Sequence, residues 1–124
     1  MEDLFLLNGK NVVVTGGSRG IGKAIALRFA EMGANIAILY AGNDEAANNV
    51  RNQLTEKGIK AHAYRCNVGK YEETEATVQK IIEEFGGIDV LINNAGITKD
   101  HLILKMKETD FDDVINVNLK GSFN

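Results

Sequence analysis

The sequence predicts an α/β fold: a parallel sheet with helices on both faces, cut short after a fourth strand and the start of the next helix. Three observations carry that expectation. Strand-like apolar runs alternate with helix-period stretches at intervals of roughly 25 residues, the rhythm of βαβ units. The first, second and fourth runs are apolar at successive positions, as in strands covered on both sides. Glycine, at 13 of 124 residues, does most of the punctuation in a chain without proline.

Each element follows in order. Asn11 to Thr15 is a β-branched run (Val12, Val13, Val14) ending in a glycine cluster, hence a buried strand. From Gly20 to Met32 the apolar positions Ile21, Ala24, Ile25 and Phe29 recur at helical spacing, and Gly33 closes the helix. Asn35 to Leu39 is a second strand. A helix from about Asp44 then carries Ala47, Val50 and Leu54 on one face and stops at Gly58. Lys60 to Cys66 is a less apolar third strand, expected nearer a sheet edge. Val78, Ile81, Ile82 and Phe85 stripe a helix that ends at Gly86-Gly87, and Val90-Leu91-Ile92 is the fourth strand. Thr109 to Asp112 matches a capping box opening a last helix through Val114, Ile115 and Leu119. The chain stops at Asn124 with that helix barely built, so residues 1–124 read as half of a single domain.

Composition excludes several classes of function. The net charge of -3 is spread over 14 basic and 17 acidic residues, leaving no basic stripe for nucleic acid and no polybasic face for a membrane. The opening Met1-Glu2-Asp3 lacks the basic flank of a secretory signal, and no run is long enough to span a bilayer. Cys66 is the only cysteine, so an internal disulfide is impossible and a cytoplasmic location is expected.

The first strand–helix turn carries most of the chemistry: Thr15-Gly16-Gly17-Ser18-Arg19-Gly20-Ile21-Gly22. Glycines there let the chain turn sharply and bring backbone N–H groups close to a ligand. A helix N-terminus adds unpaired donors and partial positive charge, which together favour a phosphate. Arg19 opposes that same dipole, a penalty a bound anion would offset. A plain tight turn with a solvated surface arginine is the alternative. At the end of the second strand an acid commonly holds the ribose of a dinucleotide lacking a 2′-phosphate. Tyr40 stands there instead, followed by Ala41 and Gly42, so NADP(H) is favoured over NAD(H). Asp44 and Glu45 read as first-turn acids of the next helix.

Further strand ends point to the same crevice: Asn67 and Val68 after the third strand, and Asn93-Asn94-Ala95-Gly96 after the fourth. Asn118 is expected to turn its amide toward the apolar side of its helix and to need a partner there, structural or a water. Cys66 reads as a small buried hydrophobe. His62 and His101 have no ligand spacing, Lys99, Lys105 and Lys107 form a small surface patch, and no metal-ligand cluster is visible.

Thr15-Gly16-x-x-x-Gly20-x-Gly22 with Asn93-Asn94-Ala95-Gly96 resembles the paired signature of the short-chain dehydrogenases/reductases. Asn94 to Asp100 and Val117-Asn118-Leu119-Lys120-Gly121 resemble, within it, the reductases acting on 3-oxoacyl groups carried by acyl carrier protein. The resemblance covers essentially the whole chain. It implies a Rossmann-type sheet of order 3-2-1-4 for these four strands, and NADPH-dependent reduction of a 3-oxoacyl thioester to the 3-hydroxyacyl thioester. It further implies that Gly16, Gly17, Ser18, Arg19, Gly20 and Ile21 hold phosphates and that Tyr40, Ala41 and Gly42 lie beside the 2′-phosphate. Asn67 and Val68 would face adenine, with Asn94, Ala95 and Gly96 along the middle of the cofactor. Asn118 matches the asparagine of the family's Asn-Ser-Tyr-Lys set, which holds a water in the proton relay.

The departure lies in the rest of that set. Four residues after Tyr40, Tyr64 and Tyr71 stand Asp44, Val68 and Glu75, so no Tyr-x-x-x-Lys is present, and the serines are Ser18 and Ser122 only. By the family's length, roughly twice this one, the acid, the lysine and the substrate pocket would come from further chain. The expectations are inactivity of this chain alone and self-association through an open fourth-strand edge or the final helix. Two other readings stay open: a non-catalytic nucleotide-binding or assembly module, and a flavodoxin-like domain for another phosphate ligand.

Overall fold

The computed structural model describes residues 6–96 and 107–124. Four strands, β1 (Asn11–Thr15), β2 (Asn35–Tyr40), β3 (Ala61–Arg65) and β4 (Val90–Ile92), form one parallel sheet in the order β3-β2-β1-β4. Helices α1 (Gly20–Glu31), α2 (Asp44–Glu56) and α3 (Tyr71–Phe85) make the crossovers. A final helical stretch starts as α4 (Glu108–Ile115), passes through a π-helical segment at Asn116–Lys120, and ends in the single turn α5 (Gly121–Phe123).

Strand residues alternate between two cores. Val12, Val14, Ile36 and Ile38 pack with Ala26 and Ala30 of α1 and with Ala47, Val50 and Leu54 of α2. Val13, Ala37 and Leu39 face the other way, against Ile81 of α3, Cys66 and Val68, with Val117 partly buried beside them. The expected helices on both faces, the strand order and the buried stripe of α2 are therefore all present.

At the amino ends of the strands, asparagines lace the sheet. The Asn11 N–H donates to the Asp89 carboxylate at 2.8 Å and its carbonyl accepts from the Asp89 N–H at 2.9 Å, while its side-chain amide donates to the Phe85 carbonyl at 3.0 Å. The Asn35 amide donates to Asn11 at 3.2 Å and its oxygen accepts from the Lys60 N–H at 3.1 Å. These contacts fill the end of the sheet opposite the crevice.

Three expectations need correction. In α1 the buried residues are Gly22, Ala26 and Ala30, whereas Ile21 is 73% exposed and Ala24 is exposed. Small residues let the helix lie close on the sheet, so a larger side chain at its start is turned outward. In α3 Ile82 is exposed and the buried set is Thr74, Thr77 and Ile81. Both threonines can be buried because their hydroxyls donate to helix carbonyls one turn back, at Lys70 and Glu73. The last helix begins at Glu108, which leaves Thr109 inside the first turn rather than capping it. Acids on either side of Thr109 suit a first turn equally well, which is why the start reads two residues late.

Candidate functional site

The carboxyl ends of the strands surround a crevice of about 560 Å³. The turn after β1 contributes Gly16, Ser18, Arg19, Gly20 and Ile21; the segment after β2 contributes Tyr40, Ala41, Gly42 and Asn43. Cys66, Asn67 and Val68 follow β3, Asn94, Ala95 and Gly96 follow β4, and Leu39 and Val117 complete the lining. The structure thus brings together every residue singled out in the sequence for the cofactor except Gly17, which lies beneath. A Cβ at Gly17 would stand 2.7 Å from Ile38 Cγ2, so its part is to let the turn rest on β2.

The turn is held by contacts from β4. The buried Thr15 hydroxyl accepts from the N–H groups of Asn94 and Ala95, both at 2.9 Å, and lies 3.3 Å from the Ile92 carbonyl as donor. The Asn94 side chain donates to the Gly16 carbonyl at 3.2 Å. Gly16 has φ of +66°, a conformation glycine adopts without cost, and an added Cβ would meet Asn94 and Ala95 at 3.0 to 3.1 Å. A Cβ at Gly22 would overlap the Gly16 carbonyl oxygen. Together these contacts fix the start of α1 against the end of the sheet.

Helix α1 opens without a side-chain cap and with no acid in its first turn, Arg19 being its N-cap residue. Its first N–H groups have no partner within the helix, so the turn presents donors and partial positive charge to the crevice. Gly20 and Gly42 each have nothing within 4 Å of an added Cβ, so the wall is open at both. Ile21 adds an exposed apolar surface on the same rim. A dinucleotide fits this donor set: phosphates at the helix start, apolar surface beside them, and amide-bearing strand ends along the rest.

Asn67 is engaged within its own turn. Its side-chain oxygen accepts from Gly69 N–H at 2.9 Å, and its backbone N–H donates to Glu73 at 2.9 Å. Tyr40 lines the crevice while its hydroxyl donates to Asp44 at 2.8 Å. Burial first, and then that carboxylate, hold the Tyr40 phenol above its ordinary range. Tyr64 is shifted the same way by burial and by Glu84, to which it donates at 2.8 Å, and Tyr71 is exposed. A phenol shifted upward is a poor proton donor near neutrality.

Asn118 departs from expectation. It is exposed rather than turned into an apolar face, and its side-chain oxygen lies beside Gly96, 3.3 Å from where a Cβ would stand. The π-helical segment accounts for the change, because wider turns rotate its residues away from the positions an α-helix would give them. Val117 takes the inward place. Gly69 and Gly121 allow that segment to approach the β3–α3 loop closely, and Asn124 donates to the Val68 carbonyl at 2.9 Å.

Thr15, Leu39, Asn43, Cys66 and Val117 were not singled out by sequence reasoning as site residues. Thr15 carried the only usable signal, as the hydroxyl residue ending a strand before the glycines. Cys66 is a buried free thiol, as expected. His62 lies 3.8 Å from Glu84, while His101, Lys99 and Lys105 fall outside the described residues. Among the described residues no three His, Cys, Asp or Glu side chains come together as metal ligands would, and no helix is long and apolar enough to cross a membrane.

A family model described as short chain dehydrogenase matches residues 10–124. The chain belongs to the short-chain dehydrogenase family. That is a family of oxidoreductases built on a Rossmann-type sheet and binding nicotinamide cofactors. Over 115 residues the chain is 49% identical to 3-oxoacyl-[acyl-carrier-protein] reductase FabG of Staphylococcus epidermidis, covering 93% of this chain and 47% of that protein. A short chain dehydrogenase from Burkholderia cenocepacia solved in complex with NADP superposes with a TM-score of 0.91 at 38% identity, over 94% of this chain and 48% of the other. A NAD+-bound xylitol dehydrogenase superposes with a TM-score of 0.86 at 39% identity, over 94% and 45%. The chain spans about half the length of the curated relatives it matches. Both dinucleotides occur among these neighbours, so the choice between them rests on this chain's own residues.

Proposed function

We propose that the crevice holds NADP(H), and that this chain is the cofactor-binding half of a reductase acting on 3-oxoacyl thioesters carried by acyl carrier protein. The observation that carries the reading is the uncapped α1 N-terminus with Arg19 on one wall, facing a β2 end that bears Tyr40 where an acid would hold an unphosphorylated ribose. The likeness to the staphylococcal reductase supports the substrate class.

Each residue has a definite part in this reading. Backbone N–H groups of Gly20 and Ile21 take phosphate oxygens, and Arg19 adds a positive charge near the 2′-phosphate. Thr15 and Asn94 keep the turn in place, and Ala95 and Gly96 let the cofactor pass close to the end of β4. Asn118, beside Gly96, is the residue to hold a water at the reacting end. When bound, the cofactor supplies the hydride. Among the described residues the crevice holds one tyrosine, Tyr40, and its hydroxyl is tied to Asp44 and so is no ready proton source for the carbonyl oxygen. Positioned proton transfer contributes typically about 10²–10⁴-fold, so the chain alone is proposed to be inactive. A cytoplasmic setting, with Cys66 reduced, belongs to the same reading.

Calorimetric titration with NADPH and NADH tests it. Binding that favours NADPH, and loses that preference in Arg19→Ala, is the expected result. A folded sample that binds neither overturns it and leaves the second reading, an assembly module whose apolar β4 edge recruits another chain. Oxidation of NADPH with acetoacetyl thioester by this chain would overturn the proposed inactivity.

A further inference from the structure

The carboxyl ends of β2 and β3 carry a network that the sequence reading did not use. Tyr40 and Arg65 are direct partners across the parallel pair. Both reach Asp44, the first residue of α2: the Tyr40 hydroxyl donates to Oδ1 at 2.8 Å, and Arg65 Nη1 donates to Oδ2 at 3.5 Å. Asp44 directly follows Asn43 and Arg65 directly precedes Cys66, and both of those neighbours line the crevice, as Tyr40 does. A carboxylate and a guanidinium therefore stand at the rim where the chain turns from β2 into α2.

The two charges are unequally held. Asp44 is fixed by its place at the helix start and by Tyr40. Arg65 is 61% exposed and touches the carboxylate at the long end of the hydrogen-bond range, so its long side chain can leave Asp44 at little cost. An anion arriving beside Ala41 and Gly42 would meet the Asp44 charge, and Arg65, already paired with that carboxylate, is a group able to cancel it. Guanidinium pairs with phosphate through two parallel donors, a better match than one long contact to a carboxylate.

We propose that Arg65 is a specificity-determining residue for the 2′-phosphate, exchanging its contact with Asp44 for that phosphate, while Asp44 sets how readily it is released. The inference rests on the reading that the crevice holds NADP(H). Arg19 lines the crevice from the glycine turn, whereas Arg65 stands behind the β2 end, next to the lining residue Cys66, and would reach the phosphate from there. An ion pair serving only to tie α2 to β3 would affect all ligands alike, which separates the two roles.

The test uses two nucleotides that differ only in the group at issue, adenosine 2′,5′-bisphosphate and adenosine 5′-monophosphate, titrated calorimetrically into the chain. The unaltered chain is expected to prefer the bisphosphate. Arg65→Ala should cut that preference roughly tenfold, with Arg65→Lys recovering part of it, because a charged contact to phosphate is lost and then partly restored. Asp44→Asn should raise the preference, by freeing Arg65 and removing a repelling charge, and this arm stands even if Arg65→Ala fails to fold. Equal weakening of both nucleotides by Arg65→Ala, or a preference unmoved by Asp44→Asn, overturns the proposal. If Arg19→Ala abolishes the preference and the residue 65 and 44 variants leave it intact, the cofactor reading stands and this inference alone falls. If the unaltered chain binds neither nucleotide, both fall.

Discussion

β3 and β4 flank the sheet on opposite sides. Along β3 three of the five side chains are engaged by neighbouring helices: Tyr64 donates to Glu84, His62 lies beside the same carboxylate, and Arg65 reaches Asp44. Just before the strand, Lys60 donates to the Glu84 carbonyl and lies over the Phe85 ring. β4 has only Val90, Leu91 and Ile92, with Leu91 53% exposed and Ile88 exposed just before it. Charged and polar side chains discourage a further strand from pairing at an edge, whereas a bare apolar edge invites one. One side of the sheet is tied to its own helices; the other leaves Ile88 and Leu91 exposed.

The largest expected effect tests that contrast with matched chemistry. Ile38→Ala, in the closed core between β2 and the α1–α2 layer, should cost about 2–5 kcal/mol in urea unfolding. Leu91→Ala at the open edge should cost about 0.5 kcal/mol or less. Similar losses at both positions would mean that β4 is covered in solution. Next in size, Thr15→Val leaves the N–H groups of Asn94 and Ala95 without their acceptor and should cost about 1–3 kcal/mol. It should also weaken NADPH binding, since the turn and the end of β4 separate. A stability loss with unchanged binding would show that Gly22 and Asn94 hold the turn unaided.

The open edge itself is probed by Leu91→Lys, a charge placed in the middle of β4. Our proposal that the chain self-associates there predicts oligomers in light scattering at micromolar concentration that this substitution disperses, with unfolding stability moved by about 0.5 kcal/mol or less. A monodisperse monomer before any substitution would end that proposal.

How far the sequence could be read depended on the kind of signal. Val12 to Val14, and Ala47, Val50 and Leu54, were legible because a hydrophobic pattern at a single period answers one question, namely which face is buried. The glycine turn was legible because a strand, a turn and a helix start have to coincide there. Ile21 and Ile82 misled for a related reason. Apolarity marks both core and exposed surface, and only the packed face decides between them: Gly22, Ala26 and Ala30 in α1, and Thr74, Thr77 and Ile81 in α3. Thr15 and Val117 act on neighbours far away in the chain, 79 residues in the case of Thr15 and Asn94, and no local pattern encodes such a meeting. Asn118 was found as a residue but not as a geometry, because the π-helical segment that turns it outward has no compositional mark.

The smallest expected effect concerns the finished edge and depends on pH. The Tyr64 phenol is shifted upward from its ordinary value of 10, by burial and by its hydrogen bond to Glu84. The folded chain therefore keeps the proton to higher pH than the unfolded chain does. That contribution to stability is fully present below pH 10 and is lost as pH rises beyond it, because the unfolded phenol ionises first. Tyr64→Phe removes the hydrogen bond but also the titrating group. The variant should be slightly less stable at pH 7, and its stability should fall less steeply above pH 10 than that of the unaltered chain. Parallel alkaline limbs in urea unfolding would show that Tyr64 does not hold β3 to α3. The chain would then have two weak edges rather than one.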